Sequence, residues 1–199
     1  MPEFETRDPT APAFWNERFD KAFMPWDRAG VPDDLRRFVA EQPAPASVLI
    51  PGCGAGYEVA FFADAGWDVT AIDFSPAAVA AARQNLSVRA DRVVEADFFT
   101  FEPPRRPQVI YERAFLCALP PAMSEAIVAR WMALLPPGGL LAGFFFFGEA
   151  GKGPPFPIAP LRLEALLSPG FLRIEDRAAV DSIPVFAGRE RWQVWRRLD

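Results

Sequence analysis

From Val48 to Gly148, short apolar runs alternate with stretches of helical period, and no other feature of the chain restricts its fold so strongly. VLIP, WDVTAID, RVVEAD, QVIYE and LLAGFFFFG read as strands, with helices at Tyr57–Ala65, Pro76–Asn85 and Ala122–Leu135 between them. A strand, a helix of about ten residues and another strand form a crossover unit, so successive strands run parallel with helices on the faces. After Gly148 the pattern changes to the loop GEAGKGPPFPIAP, a short helix at Leu161–Leu167, and two strands, FLRIEDRAAV and RWQVWRRL. The last pair suits a closing hairpin. The expected fold is α/β: a doubly wound, mostly parallel seven-stranded sheet with an antiparallel edge strand. Its ligand belongs at the carboxyl ends of the strands.

A chain of 199 residues holds one such domain. We divide it into an N-terminal helical segment (1–45), a ligand-binding core (46–148) and a closing segment (149–199). In the first segment Trp15, Phe19 and Phe23 recur at i, i+4 and i+8, one face of a helix that Pro25 ends just before Trp26. A second helix is expected from Pro32 to Glu41, with Leu35, Phe38 and Val39 inward. The aromatic stripe either packs on the core or forms a lid over a flat, apolar ligand.

Histidine is absent, and only Cys53 and Cys117 occur, which removes Cys/His zinc sites, His-based triads and imidazole acid/base chemistry. Both cysteines lie in apolar surroundings and read as small buried hydrophobes. With a net charge of −5 and no basic run beyond Arg196-Arg197, the composition argues against a nucleic-acid partner. No apolar run reaches the roughly 18 residues of a membrane span, and the first ten residues lack a signal pattern, so a cytoplasmic protein is expected.

The first strand ends in IPGCGAGYE. Glycines at 52, 54 and 56 let backbone N–H groups approach a ligand, and the helix that follows adds partial positive charge. The third glycine falls one residue early for a dinucleotide turn, and the lysine of a phosphate loop is missing. Asp73 ends the next strand, 21 residues after Gly52, where a carboxylate accepts from ribose hydroxyls; its alternative is to cap the helix begun by SPAAVAAAR, a place Ser75 fills better. Asp97 ends the strand after that, suited to an adenine amino group with Phe98 beside the ring. These acids without a phosphate-specific residue fit adenosine carrying an amino acid.

The motifs VLIPGCGAGYEVA, AIDFSPAAVAAAR, YERAFLCALPPAM, LLPPGGLLAG and GPPF, preceded by FWNERF and PWDR, resemble class I S-adenosylmethionine-dependent methyltransferases of the thiopurine S-methyltransferase superfamily. The resemblance runs from Phe14 to Arg197. Arg113 matches the thiopurine branch, whereas Pro51-Gly52-Cys53-Gly54 and Phe115-Leu116-Cys117-Ala118 match the plant-type halide and thiol branch. It implies a Rossmann-like methyltransferase fold, with Trp15, Phe19 and Trp26 lining S-adenosylmethionine from the lid. From the sheet it implies contacts by Pro51, Gly52, Cys53, Gly54, Gly56, Asp73, Phe74, Asp97, Phe98 and Arg113. Phe19 stands where the halide-type motif has tryptophan.

Methyl transfer to an anionic or soft nucleophile needs alignment and exclusion of water rather than a proton relay, which suits a chain without histidine. Arg113 is the candidate catalytic residue, a cation for a thiolate, thiopurine, selenium compound or halide; otherwise it is a salt bridge, for instance to Glu112. Phe144 to Phe147 either wall an acceptor pocket or fill the sheet core. A small-molecule acceptor, no metal, and a monomer or small homo-oligomer complete the expectation. Oxygen or nitrogen methylation, nicotinamide-dependent oxidoreduction and cofactor sensing stay open.

Overall fold

Ser47–Pro51 forms β1, whose last four residues are buried because helices cover both of its faces. The computed structural model describes residues 3–149 and 151–199; residues 1, 2 and 150, included in the ranges above, lie outside them. The remaining strands are β2 (Asp68–Asp73), β3 (Val93–Glu95), β4 (Val109–Arg113), β5 (Leu140–Phe146), β6 (Phe171–Ala178) and β7 (Glu190–Arg197). They form one seven-stranded sheet in the order β3-β2-β1-β4-β5-β7-β6. Neighbours from β3 to β5 pair in parallel. The chain builds outward from β1 in one direction, then returns to place β4 on the other side of it. That reversal between β1 and β4 leaves a crevice at their carboxyl ends. β7 is antiparallel to both β5 and β6, and so enters between them as one arm of the closing hairpin.

Among the described residues six α-helices accompany the strands: α1 (Pro12–Asp20), α2 (Asp33–Glu41), α3 (Tyr57–Asp64), α4 (Pro76–Leu86), α5 (Ser124–Leu134) and α6 (Pro160–Leu167). Leu35 and Phe38 of α2, Val59 and Phe62 of α3, and Val79, Ala82 and Leu86 of α4 share one core cluster with Val48, Val69, Tyr111 and Trp192. On the other face Ile127, Trp131 and Leu134 of α5 and Leu163 and Leu167 of α6 pack on Leu49, Ile110, Leu141 and Trp195. Each such large apolar side chain contributes about 1.5–3 kcal/mol on burial.

One expectation changes, and one open alternative is decided. The helical stripe does not reach Phe23, because α1 stops at Asp20, the Lys21 N–H closes back on the Glu17 carbonyl, and Ala22 takes a φ of 49°. Phe23 instead packs against Phe4, with ring centroids 5.2 Å apart. The Phe144–Phe147 run belongs to the core: all four are buried, with Phe144 against Trp192 and Phe146 against Phe186. Strand alternation sends Phe145 and Phe147 to the opposite cluster.

Among the described residues no helix is long and apolar enough to cross a membrane. No group of three or more His, Cys, Asp or Glu side chains among them is placed to hold a metal ion.

Candidate active site

The crevice at the reversal point opens into a cavity of about 1040 Å³. Its floor is the turn after β1, where Gly52, Gly54 and Gly56 have φ of 62°, 51° and 80°. At Gly52 a Cβ would lie 2.8 Å from Cδ2 of Phe115, so the chain needs glycine both for the angle and for the space. Gly54 and Cys53 share this wall. Pro51 does not reach it; it is buried at the end of β1 behind the turn.

Asp73 and Phe74 lie at the end of β2, on the cavity wall. Asp73 Oδ2 accepts from the Gly54 N–H at 3.2 Å and Oδ1 from the Ser75 N–H at 3.0 Å, which ties the glycine turn to the start of α4. Ser75 is the helix cap, its Oγ accepting from the Ala78 N–H at 3.2 Å. Burial pushes the Asp73 carboxyl up to about 6, although backbone N–H groups of Ser75, Gly54 and Phe74 pull it down. Past β3, Asp97 is exposed and accepts from the Phe99 N–H at 2.9 Å. Phe98 beside it is buried with its ring 4.9 Å from that of Phe115, edge to face. Both Asp97 and Phe98 border the cavity.

The roof comes from the N-terminal segment. Trp15, Phe19 and Trp26 face the cavity together, Trp15 and Trp26 with ring centroids 5.4 Å apart and Phe19 at 6.5 Å from Trp26. The Trp15 indole donates to the Pro9 carbonyl at 2.9 Å, which fixes the ring. Phe19 reaches down to the turn, its Cζ 3.9 Å from where a Gly54 Cβ would be. Two residues that periodicity alone did not single out fasten this roof. Asn16 Oδ1 accepts from the Ser75 hydroxyl at 2.7 Å and the Ala77 N–H at 3.2 Å, docking α1 on α4. Glu17 accepts from the Glu5 and Thr6 N–H groups, each at 2.9 Å, and from the Thr6 hydroxyl, so the preceding strap is held against α1.

Arg113 ends β4, packed over the Phe144 ring with its guanidinium carbon 4.7 Å from the centroid. It is not bonded to Glu112. Its carboxylate neighbours are Glu58 of α3, 3.6 Å from Nε, and Glu190 of β7, 3.8 Å from Nη1. Neither gives Nη1 or Nη2 a hydrogen bond, and both nitrogens are buried, as is the unpartnered Tyr111 hydroxyl nearby. Glu112 turns to the opposite task, accepting from the Phe115 and Leu116 N–H groups at 3.2 Å each. Burial raises Glu112 to about 8. Cys53 and Cys117 are buried, and burial raises both thiols well above their ordinary value, against any nucleophilic role.

This cavity has one carboxylate at each of two neighbouring strand ends, bare backbone beside them at the end of β1, aromatic faces above, and a charged end at Glu58, Arg113, Asp27 and Arg28. An adenosine with an amino-acid tail fits that sequence of surfaces, and a sulfonium is attracted by aromatic faces. At that charged end both buried Nη atoms of Arg113 are without a hydrogen-bond partner.

The molecule resembles 1,6-didemethyltoxoflavin-N1-methyltransferase of Burkholderia thailandensis, solved with bound 1,6-didemethyltoxoflavin and S-adenosylhomocysteine. Their TM-score is 0.76 at 19% identity, over 100% of this chain and 94% of that one, a likeness of fold. In sequence the chain is 28% identical to a probable thiol methyltransferase of Arabidopsis thaliana over 92% of its own length and 84% of the relative's. It is 31% identical to a thiopurine S-methyltransferase of Pseudomonas putida over 74% and 78%. Residues 10–198 match the thiopurine S-methyltransferase family, and the chain belongs to that family as an S-adenosylmethionine-dependent methyltransferase of small molecules.

Proposed function

We propose that the chain methylates a soft nucleophile, a thiol, thiopurine, selenium compound or halide, by in-line displacement. The observation that carries this reading is the form of the cavity: aromatic above, charged at one end, with no histidine anywhere to move a proton. The names of the relatives, thiol and thiopurine methyltransferases, support the same class. S-adenosylmethionine, when bound, supplies the methyl group on a sulfonium.

Asp73 receives the ribose hydroxyls, Asp97 and Phe98 flank the adenine, and the turn Gly52–Gly56 lies against the amino-acid end. Trp15, Phe19 and Trp26 exclude water and present ring faces to the cation. Arg113 is the cation at the charged end of the cavity, between the cofactor's amino-acid end and the acceptor, where its charge favours an anionic acceptor. Glu58 and Glu190 offset part of its charge, so the acceptor side favours a polarisable nucleophile with apolar substituents over a strongly hydrated anion. Apolar walls from Phe156, Val185 and Phe186 support that preference.

Formation of S-adenosylhomocysteine across thiophenol, a thiopurine, hydrogen sulfide, selenite, iodide, a phenol and an aromatic amine tests the proposal. Turnover highest with the aromatic thiols is expected. Turnover confined to the phenol or the amine defeats it, as does none with any acceptor.

Gly52→Val tests the turn. A side chain there forces the Phe115 ring aside and strains a φ of 62°, costing about 1–3 kcal/mol of stability. Because Gly52 and Phe115 both line the cavity, the folded fraction is expected to lose S-adenosylhomocysteine binding by 100-fold or more, roughly 2.7 kcal/mol. Thermal unfolding alongside calorimetry separates the two effects. A variant that melts earlier but binds as the wild type does sinks this role for the turn.

A further inference from the structure

We infer that Glu58 is the receptor for the α-ammonium group of the cofactor's amino-acid end. This rests on the reading of the cavity given above. Four carboxylates among the described residues line the cavity: Asp27, Glu58, Asp73 and Asp97. Asp73 and Asp97 stand at the ends of β2 and β3, on the adenosine side. The amino-acid end must then run along the glycine turn toward the start of α3, and Glu58 is the second residue of that helix.

The state of Glu58 fits a group that lacks its ligand. Its side chain is 14% exposed, and its nearest cation is the Arg113 Nε at 3.6 Å, beyond hydrogen-bond reach. Nearly dry, it keeps carboxylate acceptor capacity unfilled. Burial raises its pKa, with Arg113 the main opposing charge. Beside it Arg113 is nine-tenths buried with both Nη atoms unpartnered, so this end of the cavity holds unmet acceptors and unmet donors together. A zwitterion is the chemistry that meets both, whereas a simple anion meets the donors alone. An ammonium placed on Glu58 also completes the neutralisation that Arg113, at its distance, leaves unfinished.

The groups facing Glu58 are Arg113 and Tyr111 on β4, Cys53 of the glycine turn, Tyr57 on its own helix, and Asp27 and Arg28 of the N-terminal segment. Arg28 is engaged elsewhere, 2.8 Å from Asp181 Oδ2. Asp27 adds negative charge, which raises Glu58 further and strengthens the pull on a cation.

The test is binding, not turnover. The probes are S-adenosylhomocysteine and its deaminated analogue S-adenosyl-4-thiobutyrate, which keeps the carboxylate and lacks the amino group. Glu58→Gln is expected to weaken S-adenosylhomocysteine about 10- to 100-fold, as loss of a charged hydrogen bond does, and to leave the analogue's Kd unchanged. Equal losses for both ligands, or no loss for either, overturns the inference.

Calorimetry of the unmodified protein at pH 7 gives a second readout that needs no variant. S-adenosylhomocysteine is expected to bind at least about tenfold more tightly than the analogue, because only it carries the ammonium. Equal Kd values overturn the inference too. Binding of neither ligand by the wild-type protein is a different failure, because it removes the cofactor reading itself.

Discussion

Asp73→Ala is expected to abolish binding of S-adenosylhomocysteine at millimolar concentrations while leaving a folded protein. Three functions meet on this one side chain. Its two oxygens hold the Gly54 and Ser75 N–H groups, so the turn and the start of α4 are aligned through it. Its position at the end of β2 is on the cavity wall, and in the proposed binding mode it offers ribose hydroxyls an ionised acceptor. Alanine removes the acceptor and leaves two backbone donors unmet, about 1–3 kcal/mol each where they stay dry. Asp73→Asn keeps the shape but not the charge, and an affinity at least about 100-fold lower is expected, or roughly 2.7 kcal/mol. Either variant binding within threefold of the wild type refutes the ribose role.

The same residue sets a pH dependence. With the free carboxyl at about 6, affinity for S-adenosylhomocysteine should fall about tenfold for each pH unit below 6, since binding requires the ionised form. Stability of the unliganded protein runs the other way. The folded pKa lies above the ordinary 3.8, so the folded state holds an extra proton between those values. Asp73 therefore contributes stability that is fully present below 3.8 and is lost as pH rises through 6. Titrations between pH 5 and 7, with unfolding followed in the same buffers, read both slopes.

Gly143→Ala should have the largest effect on stability. Gly143 lies in the middle of β5, paired with Glu112 on one side and Gln193 on the other. A Cβ at this position would sit 1.9 Å from the Glu112 carbonyl oxygen and 2.7 Å from its carbonyl carbon. The obstruction is backbone in the middle of a sheet, which no side-chain rotation relieves. More than about 4 kcal/mol is expected, a large share of the roughly 5–15 kcal/mol that keeps a domain folded. Urea unfolding measures it, and a midpoint equal to the wild type's would show that β4 and β5 can separate at no cost.

Gly143 also marks what periodicity can and cannot reveal. In LLAGFFFFG the glycine reads as one weak position in a strong strand; only the register of β4 against β5 shows why no larger residue fits. The strands and helices of residues 47–146 were legible because each spends its apolar residues on one period, and their ends fell within a few positions of the observed ones. The place of Asp73 on the cavity wall was legible too, since strand ends in a doubly wound sheet converge wherever the chain reverses. Phe23 was misread because helical spacing continued past a residue whose backbone had already turned at Ala22. The Arg113 partners were hidden for a different reason. Glu58 and Glu190 are separated by 132 positions, and only the placement of β7 beside β5 brings the second to the site. Asn16 and Glu17 sat inside the quoted motif FWNERF, yet polar residues between aromatic ones give no sign of whether they face water or a neighbouring helix.

The position of β7 has a consequence for synthesis. β6 bonds to the sheet only through β7, and β7 is made after it. A chain leaving the ribosome amino end first can therefore assemble β1 to β5 with their helices, and then must hold β6 unpaired until residues 190–197 emerge. Glu190, the first residue of that strand, arrives with it. The charged end of the cavity is thus finished only once β7 is in place, and an intermediate that already displays the glycine turn and Asp73 still lacks one of the two carboxylates beside Arg113.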